Sequence, residues 1–84
     1  MYIQIVPTLY WFKNIAIKIY TRDHGPAHVH AEGPDGRAKI DLESLEITEA
    51  EGFTKNELKI IVEFVSVRKF QLNTKWKEIH ENEP

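Results

Sequence analysis

Hydrophobic and polar positions change rhythm once along this chain, near Gly52. Upstream, apolar and polar residues alternate, the period-two signature of half-buried strands; downstream, apolar residues recur every three to four positions, as on a helix. Ile15, Ile17 and Ile19 alternate with Ala16, Lys18 and Tyr20, which predicts a strand over 14–20. A strand over 9–12 would pair with it across Lys13-Asn14, and Ile3 and Ile5 suggest a leading strand over 2–6 that Pro7 ends.

The next two strands, 28–32 and 37–42, flank Gly33-Pro34-Asp35-Gly36. That is a turn sequence with a mechanism: Pro presets φ, Asp bonds its own backbone, and Gly tolerates positive φ. A two- or four-residue loop pairs Glu32 with Arg37, His30 with Lys39 and His28 with Asp41. Val29, Ala31, Ala38, Ile40 and Leu42 then share one apolar face, and His28, His30, Glu32, Arg37, Lys39 and Asp41 share a polar, solvent-facing one. A three-residue loop would mix the two faces. Leu45 and Ile47 continue as a short further strand or turn.

After Gly52, Thr54-Lys55-Asn56-Glu57 fits a capping box. Leu58, Ile61, Val62, Val65, Leu72, Trp76 and Ile79 form one stripe of a helix over 55–80. Such a helix would run about 39 Å at roughly 1.5 Å per residue, against about 17–20 Å for a strand. It therefore either breaks, with Asn73-Thr74 the weakest point, or overhangs, so that Phe70, Trp76 and Ile79 pack on a second copy or another protein. The expected fold is α+β: an antiparallel sheet of three to five strands on one long C-terminal helix, in one domain spanning 1–84.

Composition narrows the function classes. No cysteine is present among the 84 residues, so disulfides and thiolate metal sites are excluded. The net charge of −2 does not argue for nucleic-acid binding by itself. The charge is uneven: Asp41, Glu43, Glu46, Glu49 and Glu51 fall in 41–54 without a single base, which reads as a solvated rim or a docking face for a basic partner. The N-terminus lacks a basic leader and a cleavage site, and no apolar run reaches membrane-spanning length, so a cytoplasmic location is expected.

Chemistry concentrates in Arg22-Asp23-His24-Gly25-Pro26-Ala27-His28-Val29-His30. His28 and His30 stand on one side of a strand, about 6–7 Å apart at the backbone. Gly25-Pro26-Ala27 is a turn that can fold His24 toward them, and Asp41 lies across the hairpin from His28. His24, His28 and His30, with Asp41 as a carboxylate ligand or an orienting group, would suit a divalent metal such as zinc with an open position for hydrolysis. Asp23 could support His24 in the same way. A metal-free histidine pair acting as acid and base, with Arg22 or Lys39 holding an anion, is a second reading. A recognition surface without chemistry is a third. Arg37 reads as a surface ion pair with Glu32. Tyr10, Trp11 and Tyr20 interleave with Lys13 and Lys18 as on single-strand nucleic-acid platforms, although strand aromatics more often divide between core and edge. His80 takes a routine place near a helix C-terminus.

Tyr20-Thr21-Arg22-Asp23-His24-Gly25-Pro26-Ala27-His28-Val29-His30-Ala31, followed by Ala38-Lys39-Ile40-Asp41-Leu42, resembles the signature of a family of small bacterial proteins described as domain of unknown function 4160 (DUF4160). The resemblance runs over roughly residues 7–80. It places the family's Asp and three His on Asp23, His24, His28 and His30, its hairpin Asp on Asp41 and its late Trp on Trp76. Ala27 replaces the usual second Pro, Val29 the usual aromatic residue, and Phe64 stands where Trp is common; Tyr2 to Val6 is an addition. Members are often encoded beside a second small protein, and some are toxin–antitoxin candidates. The resemblance thus implies a small partner protein and a two-protein, toxin–antitoxin-like pair. Together with the histidines it leads us to expect metal-binding or hydrolytic chemistry on nucleic acid, with His24, His28, His30 and Arg22 as catalytic groups. The alternative is a protein-interaction module without metal.

Overall fold

The architecture, taken from a computed structural model that describes residues 7–81, is a five-stranded antiparallel sheet followed by two helices. The strands are β1 (Thr8–Phe12), β2 (Ile15–Lys18), β3 (His28–Gly33), β4 (Gly36–Asp41) and β5 (Ile47–Glu51), paired in chain order. The helices are α1 (Lys55–Val67) and α2 (Lys69–Glu81). The expected strand over 2–6 lies outside the described residues. No helix among those residues is long and apolar enough to cross a membrane.

The hairpin has the register that face parity demands: Glu32 opposite Arg37, Ala31 opposite Ala38, His30 opposite Lys39 and His28 opposite Asp41. Its apolar face, with Ile15, Ile17 and Ile19 from the β2 region, is buried against Ile61, Val65 and Leu72 of the helices. Both helices cover this inner face. The other face carries the polar row and lies outside the core.

β5 is longer than the short strand or turn expected from Leu45 and Ile47. Leu45 takes a left-handed φ of 63° in the turn after β4, and Ile47 starts the strand. Gly52, with φ of 86°, ends β5, and its α-carbon region sits so close to the backbone carbonyl of Asp35 that no β-carbon fits. The change of hydrophobic period therefore coincides with a position only glycine fills.

The helical segment divides at Arg68 rather than at Asn73-Thr74. Arg68 leaves helical geometry at φ −107°, ψ 16°, and its N–H turns back to the carbonyl of Val65. Its guanidinium lies 3.6 Å from the Phe64 ring centre and donates to the Phe64 carbonyl. Asn73 and Thr74 instead donate their side chains to the carbonyls of Lys69 and Phe70, one helical turn back, which keeps them within the helix. The bend brings Trp76 and Ile79 back against the core, so the overhang that would have placed them on a partner is absent. Phe70 and Val67 remain 79% and 75% exposed at the bend.

Thr54 and Glu57 complete the capping box in both directions. Truncating Leu72, fully buried on α2, to alanine should cost about 2–5 kcal/mol, and Thr54→Ala about 1 kcal/mol, both measured by urea unfolding. A Leu72→Ala loss below about 1 kcal/mol would contradict the packing of α2 on the sheet.

Candidate metal centre

Strand alternation sends the side chains of His28 and His30 to the outer face of β3, and the β2–β3 loop delivers Asp23 onto them. One carboxylate oxygen, Asp23 Oδ2, stands 2.7 Å from Nε2 of His28 and 2.7 Å from Nε2 of His30. The loop is shaped for this approach. The N–H of Asp23 donates to the Tyr20 carbonyl, Gly25 takes a φ of 87°, and the Leu42 N–H ties down the carbonyl of Ala27.

His28 is further fixed by its other nitrogen. Nδ1 lies 2.9 Å from the Pro26 carbonyl, which can only accept, so Nδ1 carries the proton. In the neutral ring the lone pair of Nε2 then faces a carboxylate oxygen, and in the imidazolium Nε2 donates to it. Two acceptors at 2.7 Å need a proton or a cation between them. The three donor atoms fit a metal ion: all lie within 4.8 Å of one another. Ligands on a tetrahedral ion at bond lengths of about 2.0–2.2 Å stand about 3.3 Å apart, so the contacts would open by about 0.6 Å on the Asp23 loop.

Aromatic rings wall the site. Trp76 lies 5.1 Å from the His28 ring and Tyr20 4.4 Å from that of His30, while His80 stacks on Trp76 at 3.9 Å. His28 is consequently only 7% exposed, where the sequence suggested a solvent-facing position; the bend at Arg68 carries Trp76 over it. His30 and Asp23 are half-buried and open into a groove of about 470 Å³, which Glu32, Lys39 and Glu49 also line.

The electrostatics follow from these contacts. Burial would raise the Asp23 carboxyl, but hydrogen bonds from His30 and His28 outweigh it and hold the group below the usual carboxylate range. Glu32 also lies low: burial opposes ionisation, and bonds from Lys18 (2.8 Å) and Tyr20 prevail. The Tyr20 hydroxyl donates to Glu32, and this bond, with burial and the nearby negative charge, pushes the phenol up to about 12.

The other residues singled out in the sequence lie elsewhere. His24 is exposed in the loop and does not join the cluster. Asp41 faces His28 in register, yet its Oδ1 accepts the N–H groups of Glu43 and Ser44 at 2.7 and 2.8 Å, which lowers its pKa and commits it to the turn. Arg22 is exposed in the loop. Arg37 pairs with Glu51 at 3.0 Å rather than with Glu32, because Lys18 and Tyr20 occupy the latter. Asp23, which the residues suggested as support for His24 and the resemblance placed in the family's motif, joins His28 and His30. The Tyr20–Glu32 pair was not read from the sequence; its signal is parity, since Lys18 lies opposite His30 on the outer face and Tyr20 follows at the next outward position.

A small antiparallel α+β domain with a two-histidine, one-carboxylate cluster on its polar sheet face is the class that fold and site define. The family follows from the match of residues 14–77 to the model of DUF4160, a domain of unknown function: the chain belongs to that family. No curated protein and no solved structure matches the chain.

The Tyr20–Glu32 bond gives a pH dependence. Below pH 10 the phenol is protonated in both folded and unfolded chains. Between pH 10 and about 12 the unfolded chain ionises first, so stability falls as pH rises through that window. Urea unfolding at stepped pH should show this limb in the wild type and lack it in Tyr20→Phe; an unchanged limb would contradict the bond.

Proposed function

We propose that Asp23, His28 and His30 form a divalent-metal centre, and that the domain works as a metal-dependent hydrolytic module. One observation carries the reading: His28 Nδ1 is committed to the Pro26 carbonyl, so in the neutral ring Nε2 meets the shared Asp23 oxygen with a lone pair that a cation would satisfy. Two imidazoles and a carboxylate match the donor set of catalytic zinc sites that keep a position open for water. The groove beside His30 offers that position to a substrate. The metal, when bound, would acidify a water; the chain holds the ligands and, through Trp76 and Tyr20, limits solvent around them.

Nucleic acid as substrate belongs to the same proposal, with a qualification from charge. Lys39 and Arg37 line the groove but are each held by a glutamate, Glu49 and Glu51. The field of the groove alone therefore does not draw a polyanion, and a phosphodiester would be gripped through the metal. Membership of a two-protein, toxin–antitoxin-like pair in the cytoplasm is part of the proposal too, supported by what the resemblance to the family implies and by the exposed Val67 and Phe70. A second reading, an interaction module without metal, is favoured by the exposed Val67 and Phe70 at the helix bend.

Calorimetric titration with zinc, manganese and nickel separates the readings. One ion per chain should bind, with affinity lower by more than about a hundredfold in Asp23→Asn and in His28→Ala/His30→Ala, and little changed in His24→Ala. Nickel should also quench Trp76. The loaded protein is then assayed on RNA, DNA, ester and peptide substrates. Absence of saturable binding near stoichiometric metal would remove the proposal and leave the interaction module.

A further inference from the structure

We propose that the free edge of β5 is a docking site for one extended strand of a partner protein carrying basic residues at alternate positions. β5 is the last strand of the sheet, paired only with β4 among the described residues. All five of its residues are exposed, and none belongs to the core cluster that the helices cover. A strand in this position presents unpaired backbone groups, the template on which strand addition works.

The register states what the added strand must carry. On the outer face, one cross-strand row reads Lys18, His30, Lys39, Glu49, and the next reads Glu32, Arg37, Glu51. Each row ends on a glutamate at the open edge, 73% exposed for Glu49 and 71% for Glu51. A neighbour directly opposite is favourable when its charge is opposite and unfavourable when it is alike. A sixth strand that extends both rows therefore places bases opposite Glu49 and Glu51, two positions apart. On the inner face Ala38 faces Ala50, and Ile40 faces Ile47, which is 36% exposed. The residue between the two bases falls beside Ala50, and an apolar side chain there extends that row. The required sequence is basic, apolar, basic.

The β5 strand of a second copy does not fit. Residues 41–54 contain no base, and antiparallel pairing of β5 with itself over its regular part sets Glu49 against Glu49 or Glu51 of the copy. The bulge between Lys39 and Ile40 confines regular pairing to Glu49–Glu51, so self-pairing cannot slide to a register that avoids these contacts. None of the three proposed ligands lies on β5, so metal binding and strand docking are separately testable, although Glu49 and Glu51 also line the groove beside His30.

The test uses two capped peptides, Lys-Val-Lys-Val-Lys and Glu-Val-Glu-Val-Glu, titrated into the ¹⁵N-labelled protein. The lysine peptide should shift the backbone amides of residues 47–52 saturably, and the glutamate peptide should bind at least about tenfold more weakly. In Glu49→Lys/Glu51→Lys, checked for folding by circular dichroism, the preference should reverse. The wild-type comparison decides even if that variant does not fold. Equal binding of the two peptides, no saturable shift on β5, or light scattering that shows self-association with protection of the β5 amides would each overturn the proposal.

Discussion

A single carboxylate oxygen holds this structure's chemistry together. Asp23 reaches out of the β2–β3 loop to meet two imidazole nitrogens, and without that contact the loop, the groove and the histidine pair have no common purpose. The sheet supplies the rest of the constraint. Strand alternation fixes His28 and His30 on one face, and the Pro26 carbonyl fixes which nitrogen of His28 is turned inward. Burial makes the arrangement consequential, because ions and dipoles gain strength where water is excluded. Trp76, brought over His28 by the bend at Arg68, does the excluding.

The division of labour between the two sheet faces is equally physical. The inner face is apolar and covered by α1 and α2; the outer face is polar and carries the site. A small domain of this kind has one face to spend on a core, so its polar and charged groups collect on the other. The charges there are mostly paired across strands: Lys18 with Glu32, Lys39 with Glu49 and Arg37 with Glu51. Such pairs are worth little to stability at the surface, but they order the side chains around the groove and put a glutamate at the β5 end of two cross-strand rows.

Much of the scaffold was legible in the residues because parity is unforgiving. A one-residue slip between 28–32 and 37–42 would have put His30 on the same face as Ile40, so the hairpin register could be derived from pattern alone. The capping box at Thr54 was legible for a similar reason: it is a local device whose partners are three residues apart. The helix break was not, since Arg68 is a good helix former and nothing local in the sequence marks it as a C-cap. The site was half legible. Spacing put His28 and His30 together, but the third group depended on how a nine-residue connection folds, and no local rule chooses between His24, Asp41 and Asp23. Asp41 was lost to a competitor that a sequence shows only faintly, the N–H groups of its own turn.

The most direct test of the shared-oxygen centre reads the imidazole nitrogens themselves. A long-range ¹H–¹⁵N spectrum of the histidines, before and after one equivalent of zinc, resolves which nitrogen binds. Nε2 of His28 and of His30 should move to the metal-bound position, with Nδ1 of His28 still protonated and the rings of His24 and His80 unchanged. Movement of His24 in their place, coordination through Nδ1 of His28, or no movement at all would contradict the account.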